Sequence, residues 1–188
     1  MDSKFILLED LLSQTECQLL IKLCEVHGFS TQNRNKHGVV FEDSSFRSDL
    51  QCTLHDPELA KTIFDRIRGD ITGEPVGINP DLRFSKYLPG QKCSLHQDGV
   101  LSTQDGKISK LSLIIYLNDT NDTGATRFID VETMQHTDVF PKTGRALLFE
   151  HAIPHAGITT EIVKYVLRSD ILFESPKVAH SGRLIVRD

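Results

Sequence analysis

His96-Gln97-Asp98 is the sharpest chemical feature of the chain: two side chains able to ligate a metal, one residue apart. In an extended strand, residues two positions apart project from the same face, so His96 and Asp98 could grip a single ion. A third ligand is then needed, and the segment Leu148-Phe149-Glu150-His151-Ala152-Ile153-Pro154-His155 offers two histidines. Two histidines and one carboxylate on one side of an iron leave three positions open. An isolated H-x-D is a common short match, so its surroundings must carry the argument. Between the two histidines stands Pro154, which lacks a backbone N–H and restricts Ile153 to extended or turn geometry. Residues 152–154 should therefore bend, end the apolar strand Arg145 to Phe149 with His151 on its rim, and start a new strand at His155.

A second cluster is cationic. Lys164, Val166 and Arg168 alternate with Val163, Tyr165 and Leu167, so Lys164 and Arg168 should share one strand face. A cation inside a core is costly unless an anion meets it. Arg168 could contact substrate, support an anionic co-substrate or pair with Asp170. Arg83 shares strand parity with Tyr87, so both could face the same interior, with Arg83 near substrate. His27, His37, His55, His136 and His180 have no partners at ligand spacing and read as surface residues, and Tyr116, inside an apolar run, reads as core.

The elements that must position these residues fall into two regimes. Ser13 with Glu16 forms a capping box, followed by an apolar stripe of Cys17, Leu19, Leu20, Leu23 and Cys24 that ends near Gly28. Asp56-Pro57 opens a second helix through Leu59, Ile63 and Ile67 to Gly69. From Asp81 the pattern changes to short runs, LRFSKYL, KLSLIIYLN, TRFIDV, TDVF, RALLFE and IVKYVLRSDILF, which signal a sandwich or barrel. Leu111 to Leu117 is nearly unbroken apolar sequence, as expected of a strand buried on both faces between a lumen and covering helices. Gly99 to Ser109 is polar and reads as a flexible lid or loop. The expectation is one domain over 1–188, with a helical support region at 1–75 and a β core at 80–175.

Composition narrows the classes. Of 188 residues, 39% are hydrophobic and 25% charged, the balance of a foldable globular chain rather than a disordered one. The formal charge of −5 leaves no broad basic surface for phosphates, so no nucleic-acid partner is expected. No apolar stretch approaches the roughly 20 residues of a membrane span, and MDSKFILLEDLL has neither the basic start nor the cleavage site of a signal peptide. Cys17, Cys24, Cys52 and Cys93 form no C-x-x-C pair and read as free thiols, which points to a cytoplasmic setting.

The order and spacing of FILLEDLLSQTEC, RFSKYLPGQKCSLHQDG, LSLIIYLND, GRALLFEHAIPHAG and KYVLRSDILF resemble the prolyl 4-hydroxylase-like branch of the Fe(II)/2-oxoglutarate-dependent dioxygenases, over most of the chain. The resemblance implies a mainly β fold with N-terminal helices (α+β): a double-stranded β-helix, or jelly-roll, cupin-like barrel with helices packed on one sheet. It implies Fe(II) held by His96, Asp98 and His155, and 2-oxoglutarate and O2 as co-substrates with ascorbate as reductant. Lys164, about one strand turn-around after His155, would pair with the distal carboxylate of 2-oxoglutarate, and Tyr87 would hydrogen-bond it. Arg168 stands further along that face, as a support for the co-substrate or the substrate. The implied reaction is oxidative decarboxylation to succinate and CO2 coupled to hydroxylation of an aliphatic C–H, on a peptidyl proline, a free amino acid or another small molecule. Thr123-Gly124-Ala125-Thr126 stands where relatives carry Gly-Gly-Glu-Thr, and Cys93 where an aromatic is common. Both departures bear on substrate, since neither removes a ligand. Two other classes use the same residues: a zinc hydrolase, with His96, Asp98 and His155 activating water, and a non-catalytic jelly-roll binding module. A visible band on adding 2-oxoglutarate to the anaerobic Fe(II) protein separates the first class from both.

Overall fold

The computed structural model describes residues 5–31 and 48–175. His37 and His180 lie outside them. Two helices lead the fold. Ser13 caps α1 (Gln14–His27) in a reciprocal box with Glu16, and Gly28, at φ 91°, ends it. Asp56 accepts from the Leu59 N–H to start α2 (Pro57–Ile67), with proline in the first turn. A single 3-10 turn at 68–70 follows.

The strands are β1 (Phe5–Leu8), β2 (Leu50–His55), β3 (Pro75–Ile78), β4 (Asp81–Tyr87), β5 (Cys93–His96), β6 (Lys107–Tyr116), β7 (Thr126–Ile129), β8 (His136–Val139), β9 (Ala146–Glu150), β10 (His155–Gly157) and β11 (Lys164–Glu174). They form a seven-stranded sheet in the order β1-β9-β6-β11-β4-β2, with β3 also on β11, and a four-stranded sheet in the order β5-β10-β7-β8. Every pairing is antiparallel. The expected barrel is thus two facing sheets that do not close: among the described residues no strand pairs across from one sheet to the other.

Alternation decides what each face of the large sheet meets. Leu82, Phe84, Leu113, Ile115, Ala146, Leu148 and Leu167 join Cys17, Leu20 and Cys24 of α1 and Ala60, Ile63 and Ile67 of α2 in one core. Their neighbours Tyr87, Ile114, Tyr116, Leu147, Phe149 and Val166 turn the other way, into a second core with Cys93, Phe128 and Val139 of the small sheet. The run from Leu111 to Leu117 is therefore buried on both faces, with helices on one side and the inter-sheet space on the other. The α1 stripe is narrower than expected, since Leu19 and Leu23 are 59% and 42% exposed. The segment from Gly99 to Ser109 also differs from a loose lid. It folds back as a hairpin on β6, with Thr103 N–H to Lys107 O at 2.9 Å, Ser109 N–H to Leu101 O at 2.8 Å and a bridge between Ser102 and Ile108. Among the described residues no helix is long and apolar enough to cross a membrane.

Candidate active site

The bend at Pro154 carries the chain from the large sheet, where β9 ends at Glu150, to the small sheet, where β10 starts at His155. There His155 pairs in register with His96, the last residue of β5. Asp98 lies just beyond that strand, its N–H bonded to the His151 carbonyl at 3.0 Å, while the Gln97 amide holds Ala152 O at 2.5 Å. The loop before His155 thereby fixes the backbone that bears Asp98. Ligating atoms of His96, Asp98 and His155 all lie within 4.8 Å of one another.

The donor set fits a divalent metal in its details. His96 Nδ1 lies 2.8 Å from Ser94 O and His155 Nδ1 lies 2.9 Å from Ile153 O. A carbonyl can only accept, so both Nδ1 atoms carry a proton and each Nε2 is the atom left to face a ligand. Those Nε2 atoms stand 3.6 and 3.7 Å from the two oxygens of Asp98. Burial pushes the His155 imidazole down to about 4 against the weaker pull of Asp98. For His96 burial acts in the same direction but the Asp98 carboxylate and the Cys93 thiol outweigh it, holding the ring at about 9. Burial opposes the charge on Asp98, yet His96, Arg168 and Ser112 keep its carboxyl far below the usual range.

Asp98 is clamped from behind. Arg168 Nη2 donates to Oδ1 at 2.7 Å and the Ser112 hydroxyl to Oδ2 at 2.5 Å. With its proton committed to Asp98, Ser112 accepts from His151 Nδ1 at 2.9 Å, and His151 Nε2 accepts from the Ser109 hydroxyl at 2.9 Å. Ser109 in turn accepts the Leu101 N–H at 2.8 Å, so a one-way chain of hydrogen bonds joins the 101–109 hairpin to Asp98. Burial lowers the His151 pKa, in keeping with the neutral ring that this chain requires. His151, expected on the rim, is in fact only 4% exposed. The reason is that its strand faces Ser109 and Ser112 of β6 rather than solvent. Ser109 and Ser112 were not singled out from sequence, although Ser112 shares parity with Ile114 and Tyr116 and so had to face the interior.

The cations sort along the inner face of β11. Lys164, 2% exposed, stands opposite Tyr87 in register, its ammonium 4.3 Å from the centre of the Tyr87 ring and 2.8 Å from Gly124 O. Gly124 holds φ +63°, and a Cβ there would come within 2.9 Å of Thr160 Cβ and 3.3 Å of Lys164 Cδ. Four residues on, Arg168 stands opposite Arg83. Of the alternatives open to Arg168, the pair with Asp170 is not the one made among the described residues. Arg168 takes Asp98, and Asp170 receives Arg83 Nη2 at 3.1 Å. Tyr116 is core, its hydroxyl on Thr126 at 2.7 Å.

Residues 82–169, which run from β4 to β11 and contain all of these side chains but Asp170, match the family model of the 2OG-Fe(II) oxygenase superfamily. Over that stretch the chain matches the core of a 2OG-Fe(II) oxygenase. The chain is similar in fold to a prolyl hydroxylase from Trichoplax adhaerens solved with a hypoxia inducible factor peptide fragment, at TM-score 0.69 and 19% identity, covering 90% of this chain and 84% of that one. It is also similar to a Pseudomonas putida prolyl-4-hydroxylase, at 0.67 and 16%, covering 90% and 93%. A third is the viral collagen prolyl hydroxylase from Paramecium Bursaria Chlorella virus-1 in its 2OG complex, at 0.62 and 19%, covering 91% and 97%. No curated protein matches the chain. The oxygenase family brings Fe(II), 2-oxoglutarate and O2 to such a core, and the His-Asp-His constellation is the place for the iron.

Proposed function

We propose that this oxygenase hydroxylates an aliphatic carbon, holding Fe(II) through His96 Nε2, His155 Nε2 and the Asp98 carboxylate and seating the distal carboxylate of 2-oxoglutarate between Lys164 and Tyr87. The observation that carries the reading is the pair of Nδ1–H bonds to Ser94 O and Ile153 O, which turn both Nε2 atoms toward one carboxylate. When bound, iron and 2-oxoglutarate supply dioxygen activation driven by decarboxylation to succinate and CO2. The chain's own residues do the rest. Arg168 and Ser112 hold Asp98 in one rotamer, so the ligand set is organised before the metal arrives. Lys164 neutralises a carboxylate that burial would otherwise penalise. Phe128, Phe149 and Val166 line the inter-sheet space and exclude water from the reacting centre. Prolyl hydroxylases among the structural relatives favour a prolyl residue in a peptide, and a free amino acid or other small molecule fits the same reading. One domain, a cytoplasmic setting for four buried free thiols, and ascorbate as reductant complete the proposal.

The experiment is to add 2-oxoglutarate to the anaerobic Fe(II) protein and watch the visible spectrum, then admit air and measure succinate. A weak visible band followed by slow succinate formation is expected even without substrate. A folded, iron-loaded protein giving neither would refute the proposal in favour of a zinc hydrolase or a binding module.

A further inference from the structure

The metal end of the inter-sheet space sets two arginines beside two carboxylates. Arg83 and Arg168 face each other across β4 and β11. Their described acidic neighbours are Asp170 for Arg83 and Asp98 for Arg168. Asp98 is also the carboxylate of the proposed metal site. At that end a divalent ion would bring two positive charges, of which the near carboxylate of 2-oxoglutarate offsets one. The donors of that end are not exhausted. Arg168 is 8% exposed, and its buried Nε has no hydrogen-bond partner. A buried guanidinium N–H without an acceptor is destabilising, and an incoming oxyanion would relieve it. Arg83, with its side chain 45% exposed, reaches the mouth of the same space and is steadied there by Asp170.

We infer that Arg83 and Arg168 together receive a carboxylate of the prime substrate, so that this oxygenase acts on an acid rather than on a neutral molecule. The inference rests on the oxygenase reading above and adds the substrate class. Two pairs of facing residues then divide the labour. Tyr87 and Lys164 serve 2-oxoglutarate at one end, and Arg83 and Arg168 serve the substrate about 13 Å along the strand, four residues at roughly 3.3 Å each. Because Arg168 touches Asp98 directly, the carbon presented to the iron lies within a few bonds of the bound carboxylate. A planar fork that meets carboxylate with two N–H groups suits this role better than a lysine would. The carboxylate could be that of a free amino acid or an acidic side chain of a peptide.

The test is equilibrium binding without turnover. Matched acid and amide pairs are titrated by calorimetry into the anaerobic protein loaded with Fe(II) and saturating 2-oxoglutarate. One arm uses free L-amino acids against their α-amides. The other uses acetyl-capped, amidated tripeptides containing Asp or Glu against the same peptides containing Asn or Gln. Binding of acids over their amides by about tenfold or more in either arm is expected, and the arm that responds identifies the source of the carboxylate. Arg83→Gln should then remove that preference, weakening the acid about tenfold while leaving the amide in place. Equal binding of acid and amide, binding of neither, or an unchanged preference in Arg83→Gln overturns the inference. Failure of the starting protein to take up 2-oxoglutarate is a different result and overturns the oxygenase reading itself.

Discussion

Replacing Lys164 by methionine keeps the stem and deletes the charge. The ammonium is nearly sealed, at 2% exposure, beside the Tyr87 ring and the Gly124 carbonyl. A 2-oxoglutarate carboxylate seated there without it is a buried anion stripped of its partner, a loss of about 2–5 kcal/mol. In dissociation constants this is about 30-fold to several thousand-fold. Thermal shift reads the difference directly. At 2-oxoglutarate one hundred times the native Kd, the native protein should gain about 2.7 kcal/mol, or roughly 5–10 °C for a chain of this size. Lys164→Met at the same concentration should gain less than about 1 kcal/mol, no more than roughly 3 °C. Iron(II) binding should survive, since Lys164 is not among the three converging ligands. Retention of the full shift by Lys164→Met, with its loss in Arg168→Met, would refute the assignment and move the distal carboxylate to the other end of β11.

His155→Ala should lose iron binding and succinate formation together, whereas His151→Ala should keep iron with affinity about tenfold weaker, because it removes only the donor that orients Ser112 behind Asp98. Iron retained by His155→Ala would refute that ligand set. Gly124→Ala crowds Thr160 and Lys164 Cδ at a positive φ, so it should weaken 2-oxoglutarate binding while leaving the iron Kd unchanged, as a pair of titrations would show. Glu16, bonded to Arg66 and the Ser13 cap, has its pKa lowered from 4.5 to about 2. A carboxylate depressed on folding stabilises above its unfolded value and loses that contribution as pH falls from about 4.5 towards 2. The pair is more than one-third exposed, so screening keeps the effect below about 1 kcal/mol. Glu16→Gln should therefore melt slightly lower at pH 7 and show a shallower fall in acid, and an unchanged melting curve at both pH values would refute this.

What alternation governs could be read from the residues themselves. Leu113 and Ile115 had to face opposite to Ile114 and Tyr116, and Lys164 had to share a face with Arg168, because a strand offers two sides only. Caps were equally readable at Ser13, Asp56 and Gly28, where the side chain or the missing Cβ acts on its immediate neighbours. The short strands β2 and β3 escaped, since Leu50-Gln51-Cys52-Thr53-Leu54-His55 and Pro75-Val76-Gly77-Ile78 owe their form to β4 and β11 rather than to their own pattern. Leu19 and Leu23 sit at helical spacing yet lie outside the patch that the large sheet covers, so periodicity overstated the buried face of α1.

The site followed the same division, and its unread half is the half that matters for specificity. Local rules put His96 beside Asp98 and a bend before His155. They could not say that Asp98, 70 residues before Arg168, would cross the inner face of β11 at that arginine and not at Lys164. That crossing depends on where the small sheet sits over the large one, a relation fixed by aromatic packing of Phe128 on Phe149 and of Phe149 on His155, at 5.0 and 4.7 Å between ring centres. With Arg168 held by Asp98, Asp170 receives Arg83, which stands toward the mouth of the space. Two inter-sheet aromatic contacts thus decide which cation stands at the metal and which at the co-substrate. A change of volume at Phe149 should consequently alter substrate preference through Arg168 before it alters the ligand set, whose histidines are tied to their own backbone.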